Sequence, residues 1–213
     1  MTAPLSLHPL GEAALCCALP GPHSLEMQQR IWQLTEGLAA VDGVQAVIPG
    51  MNNLTLVFDP LATEAAMLEA VVTTLWDKPL RTRAAGRRVE IPVHYDGPDL
   101  AVVAEHCGLS PDEVVRRHGE PEYNVYFIGF QPGFAYLGGL DPALATPRRA
   151  EPRVSVPAGS VGIGGAQTGI YPLATPGGWQ LIGRTALALF DPQAEPPTLL
   201  APGDRVRFVA VNE

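Results

Sequence analysis

The sequence predicts an α+β protein of two domains, a small ferredoxin-like domain followed by a β-rich barrel. Up to Trp76, apolar periodicity indicates strands, a helix, a strand pair and a second helix, which is typical of a small α+β sandwich of ferredoxin-like type. After Arg88, short apolar runs alternate with glycine and proline, which indicates a closed or nearly closed β-barrel. A basic segment separates the two patterns, so we predict domains over residues 1–84 and 85–213.

The composition indicates a compact globular protein and argues against one class of partner. Apolar residues make up 46% of the 213-residue chain and charged residues 17%, so enough apolar surface is present for a folded core. A formal net charge of −8 argues against a general nucleic-acid-binding protein, because contacts to phosphates need clustered lysine and arginine. No apolar run approaches the roughly 20 residues of a membrane span, so we expect a cytoplasmic protein.

The elements of the first domain follow from periodicity and capping. Ser24 is a helix-capping residue, and Gly43 is a natural stop for the helix that follows it. The predicted elements are strands 6–10 and 13–19, a helix from Ser24 to about Val41, strands 44–48 and 54–58, and a helix over 63–76. Because this domain shows no convincing polar cluster for chemistry, we hypothesise that it docks a partner or braces the second domain.

The second domain begins with a strand and two helices. Ser110 and Glu113 form a predicted capping box at the start of the second helix. The predicted elements are strand 88–95, helices 99–107 and 110–118, strand 122–128, and short strands at 155, 159–163, 169–173, 180–185, 188–190 and 205–211. Pro202, Gly203 and Asp204 are typical of a tight turn before the last strand.

The boundary segment carries five of the fourteen basic residues, which are Lys78, Arg81, Arg83, Arg87 and Arg88. A phosphate or nucleic-acid site is one interpretation of this run. We favour a solvated linker, because runs of charge usually lie at the surface.

The run Gly129–Leu140, GFQPGFAYLGGL, has the pattern of neither a regular helix nor an alternating strand. Its glycines and Pro132 direct the backbone to turn. Between them lie three large rings, those of Phe130, Phe134 and Tyr136. Loops that carry rings use them to anchor a site or to line one, so we place the centre of the functional site here.

Similar motifs, rich in glycine, proline and rings, recur downstream. The motifs are Phe130–Leu137 (FQPGFAYL), Pro157–Val161 (PAGSV), Gln167–Pro172 (QTGIYP) and Pro176–Trp179 (PGGW). In them the chain resembles a family that contains the B subunit of the bacterial ATP-dependent 5-oxoprolinase, KipI-type inhibitors of sporulation kinases, and allophanate hydrolase subunit 1 domains. The resemblance covers nearly the whole chain and is densest from Val89 onward.

This resemblance implies a cyclophilin-like form for the barrel and a set of possible functions. The leading one is the B subunit of 5-oxoprolinase, an enzyme that opens 5-oxo-L-proline to L-glutamate with ATP and its Mg²⁺ counter-ion. It implies two partner subunits, a homologous C subunit and an amidohydrolase-like A subunit. The alternatives are a KipI-like inhibitor of a sensor histidine kinase and the carboxyltransferase part of a urea carboxylase.

Four side chains are candidates for charge or proton chemistry. His118 ends a helix, where it either acts as a general base or simply complements the helix dipole. The residues alone slightly favour the structural role, whereas the resemblance favours a catalytic one. Arg148, Arg153 and Arg184 offer planar forks for a carboxylate or phosphate, or else form ion pairs at the barrel rim. We predict catalytic roles for His118, Arg148 and Arg184, and a binding role for Arg153.

The predicted binding residues are those that supply rings, hydrogen-bonding groups or backbone freedom within the motifs. They are Phe130, Pro132, Gly133, Phe134, Tyr136, Arg153, Gly159, Gly164, Gly165, Gln167, Thr168, Tyr171, Gly177, Gly178 and Trp179. Gln167, Thr168 and Tyr171 suit a lactam, urea or amide group, since each of these presents a carbonyl and N–H donors. For the glycine-rich run 162–165 we favour a strand bend or a close backbone approach. The alternative is that its backbone N–H groups hold a carboxylate or phosphate.

Several familiar site types are absent from the sequence. No GK[ST] follows the glycine-rich run, which excludes a P-loop. Ser160 lacks the GxSxG elbow of a nucleophilic serine. The three cysteines, Cys16, Cys17 and Cys107, show no metal-binding spacing, so we expect reduced core thiols and no protein-bound metal.

Overall fold

The structure is a computed structural model that describes residues 5–19, 21–82 and 86–211. The chain divides into two compact units, residues 1–84 and residues 85–213. None of the helices in the described ranges is long and apolar enough to cross a membrane. The predicted basic residue Arg83 lies outside the described residues.

The first unit is a four-stranded antiparallel sheet with two helices. Its elements are β1 (Ser6–Pro9), β2 (Ala14–Ala18), α1 (Leu25–Leu38), β3 (Val44–Gly50), β4 (Asn53–Phe58) and α2 (Ala65–Trp76). The strand order is β1-β2-β4-β3. Because β2 and β3 are both antiparallel to β4, they run parallel to each other on either side of it, and α1 connects them. This split β–α–β crossover suits a ferredoxin-like domain, although β1 reaches the edge beside β2 from the start of the chain. The ferredoxin-like assignment therefore stays a prediction.

The capping and periodicity in the first unit act as the sequence indicates. The Ser24 hydroxyl accepts a hydrogen bond from the Met27 backbone N–H at 3.1 Å. The apolar face of α1 is buried at Ile31, Leu34 and Leu38, and the helix ends at Leu38 rather than near residue 41. In the same core, burial raises the pKa of the Cys17 thiol to about 12, so Cys17 is an inert core thiol as expected.

The second unit is built around a seven-stranded sheet. Its elements are β5 (Arg88–Val93), α3 (Leu100–Cys107), α4 (Pro111–Gly119), β6 (Tyr123–Ile128), β7 (Ala135–Gly138), a 3-10 helix (Pro142–Leu144), β8 (Arg153–Val156), β9 (Ser160–Gly164), β10 (Gln167–Ile170), β11 (Thr175–Gly177), β12 (Gln180–Arg184) and β13 (Arg205–Ala210). The strand order is β12-β9-β10-β7-β6-β13-β5, and β8 and β11 form a separate two-stranded ribbon. Among the strand pairs of the described residues, only β13–β5 is parallel.

The sheet of the second unit is nearly closed into a barrel, as predicted. His94 and Arg184 exchange two backbone hydrogen bonds of 2.9 Å, which connect the end of β5 to the end of β12. The barrel interior is filled by one apolar cluster that includes Ile91, Val125, Leu137, Val161, Ile163, Ile182 and Phe208. The predicted strand at 188–190 is reduced to a single bridge between Phe190 and Thr198.

The predicted capping box of α4 is only half formed within the described part of the chain. The Ser110 hydroxyl accepts from the Glu113 N–H at 3.2 Å. The Glu113 carboxylate does not reach back to Ser110 but accepts from Arg116 and Arg117, at 2.8 Å and 2.7 Å. Ion pairs on the helix surface therefore replace the second half of the box.

The basic segment is partly accounted for by ion pairs within the second unit. Arg87 binds the buried Asp204 at 2.6 Å, and Arg88 binds Glu122 at 2.7 Å. In the first unit, the side chain of Gln33 on α1 accepts a hydrogen bond from the Arg81 N–H and donates one to the Pro79 carbonyl, which fixes the start of the basic segment. These contacts favour the linker interpretation over a phosphate site.

Candidate functional site

Alternation along the barrel strands produces a second apolar cluster on the outer face of the sheet. In β7, Ala135 and Leu137 join the barrel core, while Tyr136 between them packs against the second cluster. At β12, Trp179 and Leu181 belong to the second cluster and Ile182 to the core. Since neighbouring residues of a strand point to opposite faces, the outward set forms its own cluster with Phe134, Val156 and Tyr171.

Three glycines give this outer cluster a flat floor. Gly162, Gly164 and Gly169 take the outward positions of β9 and β10, where the residues between them join the barrel core. A Cβ atom on Gly164 would lie 2.5 Å from Trp179 Nε1, and one on Gly169 would lie 3.2 Å from Phe134 Cζ. The rings therefore rest on bare backbone, which is the close approach that glycine permits.

The loop before β7 presents its rings through two successive turns. The Gln131 carbonyl accepts from the Phe134 N–H at 3.0 Å across Pro132 and Gly133, and Gly133 has φ 81°. Proline followed by a glycine of positive φ is the pattern of a type II turn. Just before it, the Gly129 carbonyl accepts from the Gln131 N–H at 2.8 Å, and Phe130 between them has φ 68°. This tight turn is a strained conformation for a residue other than glycine.

The rings enclose a cavity of about 270 Å³, which we call the aromatic cavity. It is lined by Phe130, Phe134, Tyr136, Arg148, Pro152, Tyr171, Pro176, Gly177, Gly178 and Trp179. All except Pro152 and Pro176 are among the site residues predicted from the sequence. Phe134, Tyr171 and Trp179 are nearly fully buried walls, whereas Phe130 is 61% exposed at the rim.

Arg148 is the cation of the aromatic cavity. Its guanidinium carbon lies 5.9 Å from the centroid of the Trp179 ring, a cation–π distance. No ion pair to a carboxylate is found for Arg148 among residues 5–19, 21–82 and 86–211, so its charge is available to a ligand. Burial raises the pKa of the Tyr136 and Tyr171 hydroxyls, and Arg148 opposes this rise more weakly. Both phenols are therefore neutral hydrogen-bonding groups at neutral pH.

Arg153 and Arg184 line a different cavity of about 310 Å³, which we call the arginine cavity. Its other lining residues are Asp96, Gly97, Pro98, Ser155, Pro157, Ala158, Ser160, Leu181 and Gly183. Arg184 pairs with Asp96 at 2.8 Å. The segment 96–98 had no signal in the sequence, because its neighbours in space, on β8 and β12, are more than fifty residues away along the chain.

A buried carboxylate supports the arginines of this region. Asp99 accepts from Arg153 Nη2 at 2.7 Å and from the Leu181 N–H at 2.7 Å. Arg149 Nη1 approaches the same carboxylate at 3.4 Å. Asp99 thus connects the start of α3 to β8 and β12, and sequence reasoning did not identify it.

His118 lies in the barrel core and lines neither cavity. Its Nδ1 is 2.8 Å from the Tyr95 hydroxyl and its Nε2 is 2.8 Å from the Thr168 hydroxyl. Because Thr168 donates its own proton to the Gly162 carbonyl at 3.0 Å, we assign the imidazole proton to Nε2. Burial lowers the pKa of His118 to about 3. A general base must reach its substrate, so this geometry favours the structural role of His118 over the predicted catalytic one.

The remaining predicted residues support the fold around the cavities. Gly165 closes the β9–β10 hairpin at φ 64°, and its N–H donates to the Thr146 carbonyl at 2.7 Å, so it does not point at a ligand. Gly159 has φ 81°, and a Cβ there would collide with the Thr185 carbonyl. Thr168 is buried against His118, and Gln167 lines neither cavity. Within the described ranges no group of three or more histidine, cysteine, aspartate or glutamate residues is arranged to hold a metal ion.

The chain matches a family of carboxyltransferase domains. The family model described as "Carboxyltransferase domain, subdomain C and D" matches residues 5–200. The chain is 54% identical over 210 residues to the B subunit of 5-oxoprolinase from Escherichia coli O157:H7, covering 96% of this chain and 95% of that one. It is 48% identical over 208 residues to the 5-oxoprolinase B subunit of Haemophilus influenzae, covering 96% and 97%. The chain therefore belongs to the carboxyltransferase C and D domain family, in the group whose members are named as B subunits of 5-oxoprolinase.

Solved structures agree with this assignment. The crystal structure of TTHA0988 has a TM-score of 0.82 and 42% identity over 94% of this chain, which spans 40% of the length of that protein. The urea amidolyase of K. lactis has a TM-score of 0.83 at 19% identity, over 98% of this chain and 15% of that one. At that identity the urea amidolyase supports the fold alone.

Proposed function

We propose that this chain is the B subunit of an ATP-dependent 5-oxoprolinase and that its aromatic cavity holds 5-oxo-L-proline. In this proposal the enzyme that opens the lactam to L-glutamate also contains two further chains. They are a homologous C subunit and an amidohydrolase-like A subunit. The observation that carries the proposal is Arg148, which lies without an ion-pair partner, among the described residues, over a cavity walled by aromatic rings.

The aromatic cavity suits the size and chemistry of 5-oxoproline. Its volume of about 270 Å³ is just below the roughly 300–1,000 Å³ typical of ligand pockets, which suits a single five-membered ring. The carboxylate of 5-oxoproline pairs with the Arg148 guanidinium, which presents a fork for two hydrogen bonds. The flat ring packs against Trp179 and Phe134, and the hydroxyls of Tyr136 and Tyr171 are the nearby neutral groups for the lactam.

The chain has donor groups that fit the phosphates of ATP, but they are not those of the glycine-rich run. Gly165 bonds to Thr146, and Gly162 and Gly164 belong to paired strand. The fitting donors are guanidinium groups, since Arg153 Nη1 is buried without a partner in the described part of the chain. When bound, ATP would supply a phosphoryl group to the lactam oxygen, which would make the ring carbon electrophilic enough for water to add to it. The ring C–N bond would then break with the nitrogen leaving as the amine, and a second water would release phosphate and leave the side-chain carboxylate of glutamate.

The residues of this chain would orient the substrate and exclude water rather than transfer protons. His118 is confined to the core, and Ser160 has no base beside it among the described residues. Arg148 would fix the carboxylate, and the rings would keep water from one face of the lactam. Because neither cavity contains a full set of acid and base groups, a further chain must supply the remaining groups. The longer chain of TTHA0988, of which this chain spans 40%, supports an association of this domain with further sequence.

A kinase inhibitor would need a docking surface for its partner, and the aromatic-proline loop at 130–136 is the candidate for it. In the structure Phe134 and Tyr136 face the aromatic cavity, and Pro132 forms the turn that places them. Phe130 and Pro132 are the exposed residues of this turn, and Phe130 also lines the cavity. The loop therefore already has a role within the site.

Reconstitution of the enzyme from three separate chains tests the proposal. The chain is combined with its candidate C and A subunits, and ADP and glutamate are measured with and without 5-oxoproline. We expect hydrolysis that depends on 5-oxoproline, and an R148Q variant whose KM for 5-oxoproline rises at least tenfold. The matched control is R207Q, which removes an exposed arginine of β13 that lines neither cavity.

Two results would contradict the proposal. If the three chains together release no glutamate from 5-oxoproline, the enzymatic role is wrong. If R148Q and R207Q share the KM of the unmodified enzyme, the substrate does not sit in the aromatic cavity.

A further inference from the structure

The arginine cavity is larger than the aromatic cavity, and the function proposed above uses only its Arg153, as a donor that fits phosphates. It lies beside the same ribbon, since β8 supplies Arg153 and Ser155 to it, while Pro152 just before β8 lines the aromatic cavity. We propose that the arginine cavity binds a small oxyanion, a phosphate or carboxylate group, and that this chain alone supplies the site. This inference rests on the proposed function only for the expected source of the oxyanion, which is the phosphates of ATP.

Arg184 is the accessible cation at the mouth of the cavity. Its side chain is 60% exposed and its partner Asp96 is 50% exposed, with 2.8 Å between Arg184 Nη2 and the Asp96 carboxylate. An ion pair this exposed is weakly held because water screens both charges. An entering oxyanion can therefore replace Asp96 as the partner of the Arg184 fork.

Arg153 is the inner cation and is held in place from behind. Asp99 is only 4% exposed and binds Arg153 Nη2 at 2.7 Å, which fixes the plane of the guanidinium. Arg153 Nη1 is buried and has no hydrogen-bond partner among residues 5–19, 21–82 and 86–211. A donor left in this state is unusual in a folded protein, and it provides bonding capacity that an oxyanion next to Arg153 would use.

The other groups of the cavity agree with a singly charged oxyanion. The hydroxyl of the buried Ser160 has no protein partner within the described ranges and can donate to an anion. Around the cavity, Arg149, Arg153 and Arg184 face two carboxylates, Asp96 and Asp99, so one positive charge is in excess. No aromatic ring of the described residues lines the cavity, so it offers no stacking surface for a nucleobase. The part of a ligand that enters is thus the oxyanion.

Binding to the isolated, full-length chain tests the proposal without any partner protein. Calorimetric titrations use three probes: inorganic phosphate, ATP and 5-oxoproline. R184Q removes the cation at the mouth, and A158L fills the cavity without changing its charge. R207Q removes an equal charge from the exposed face of β13 and serves as the control. We expect phosphate binding to weaken at least tenfold in R184Q and in A158L, and to stay unchanged in R207Q.

The three probes distinguish the source of the oxyanion. If the two cavity variants weaken ATP along with phosphate, the source is a nucleotide. If they weaken 5-oxoproline instead, the source is a carboxylate. The proposal is overturned if none of the probes binds, if R184Q and R207Q weaken binding equally, or if A158L and R184Q both bind as the unmodified chain does. Circular dichroism confirms that each variant is folded, and R184Q decides the matter alone if A158L is not. Because no second chain is present, an inactive three-chain enzyme leaves this result unaffected.

Discussion

Burial of His118 predicts that the second unit loses stability as the pH falls below about 6.5. The imidazole has a pKa of about 3 in the folded barrel and about 6.5 in an unfolded chain. Between these values the unfolded chain binds a proton that the folded chain does not, so acid favours unfolding. A pH of 5 is about 1.5 units below the pKa of the imidazole in the unfolded chain. At about 1.36 kcal/mol per unit, protonation of the unfolded chain lowers the free energy of unfolding by about 2 kcal/mol. This loss is nearly independent of the folded pKa, provided that the folded pKa is below about 4.

The matched variant is H118Q, because a glutamine amide can accept from the Tyr95 hydroxyl and donate to the Thr168 hydroxyl as the imidazole does. Both proteins carry W32F and W76F, which leaves Trp179 as the only one of the three tryptophans and makes its fluorescence report on the second unit. Urea unfolding at pH 7.5 and pH 5.0 gives four free energies of unfolding. We expect the protein with His118 to lose about 2 kcal/mol more than H118Q over this interval. An equal loss in both proteins would refute the assignment of a neutral, buried imidazole.

Three further substitutions test other parts of the structure. G164A places a methyl group 2.5 Å from Trp179 Nε1 and should cost about 1–3 kcal/mol of stability through overpacking. The control is G129A, whose nearest contact would be 3.6 Å and which should cost less. Similar unfolding midpoints for the two variants would contradict the close packing of Trp179 on Gly164. D99N leaves Arg153 and Arg149 without their shared carboxylate and should lower the free energy of unfolding in urea by about 3 kcal/mol. An unchanged unfolding midpoint would contradict this role of Asp99. S110A removes the hydroxyl that caps α4 and should lower the free energy of unfolding by about 1 kcal/mol, while S155A, an exposed residue of β8 outside any helix, should leave it unchanged.

Local signals in the sequence were enough to predict most elements and the aromatic cavity. Helix boundaries followed from caps such as Ser24, because a side chain that bonds its own first turn acts over three residues. The walls of the aromatic cavity followed from the motifs, because large rings beside glycine and proline are visible without knowledge of the fold. At Gly164 the favoured interpretation, a close backbone approach, agrees with the Trp179 ring that packs there. The alternative, N–H groups offered to an anion, does not fit Gly165, whose N–H donates to the Thr146 carbonyl.

The contacts that the sequence could not reveal are those between distant segments. Asp99 is hydrogen-bonded to Arg153 and Leu181, which are 54 and 82 positions away in the sequence. No apolar periodicity in these segments indicates that they are in contact. His118 had two interpretations as a residue at a helix end, and only its contact with Thr168, 50 positions away, decided between them. The division of the arginines between two cavities was hidden for the same reason. Arg148 and Arg153 are near neighbours in the chain, yet they line different cavities.

The glycine floor limits how the aromatic cavity can change in evolution or engineering. Where side chains form the bottom of a pocket, shortening one of them deepens it. Gly162, Gly164 and Gly169 have no side chain to shorten, and any replacement adds atoms beneath Phe134 or Trp179. Because these glycines lie behind the rings that line the cavity, a substitution there can only push the rings inward and make the cavity smaller. Selection for a larger substrate would have to act on the rings of the walls and on Phe130 at the rim.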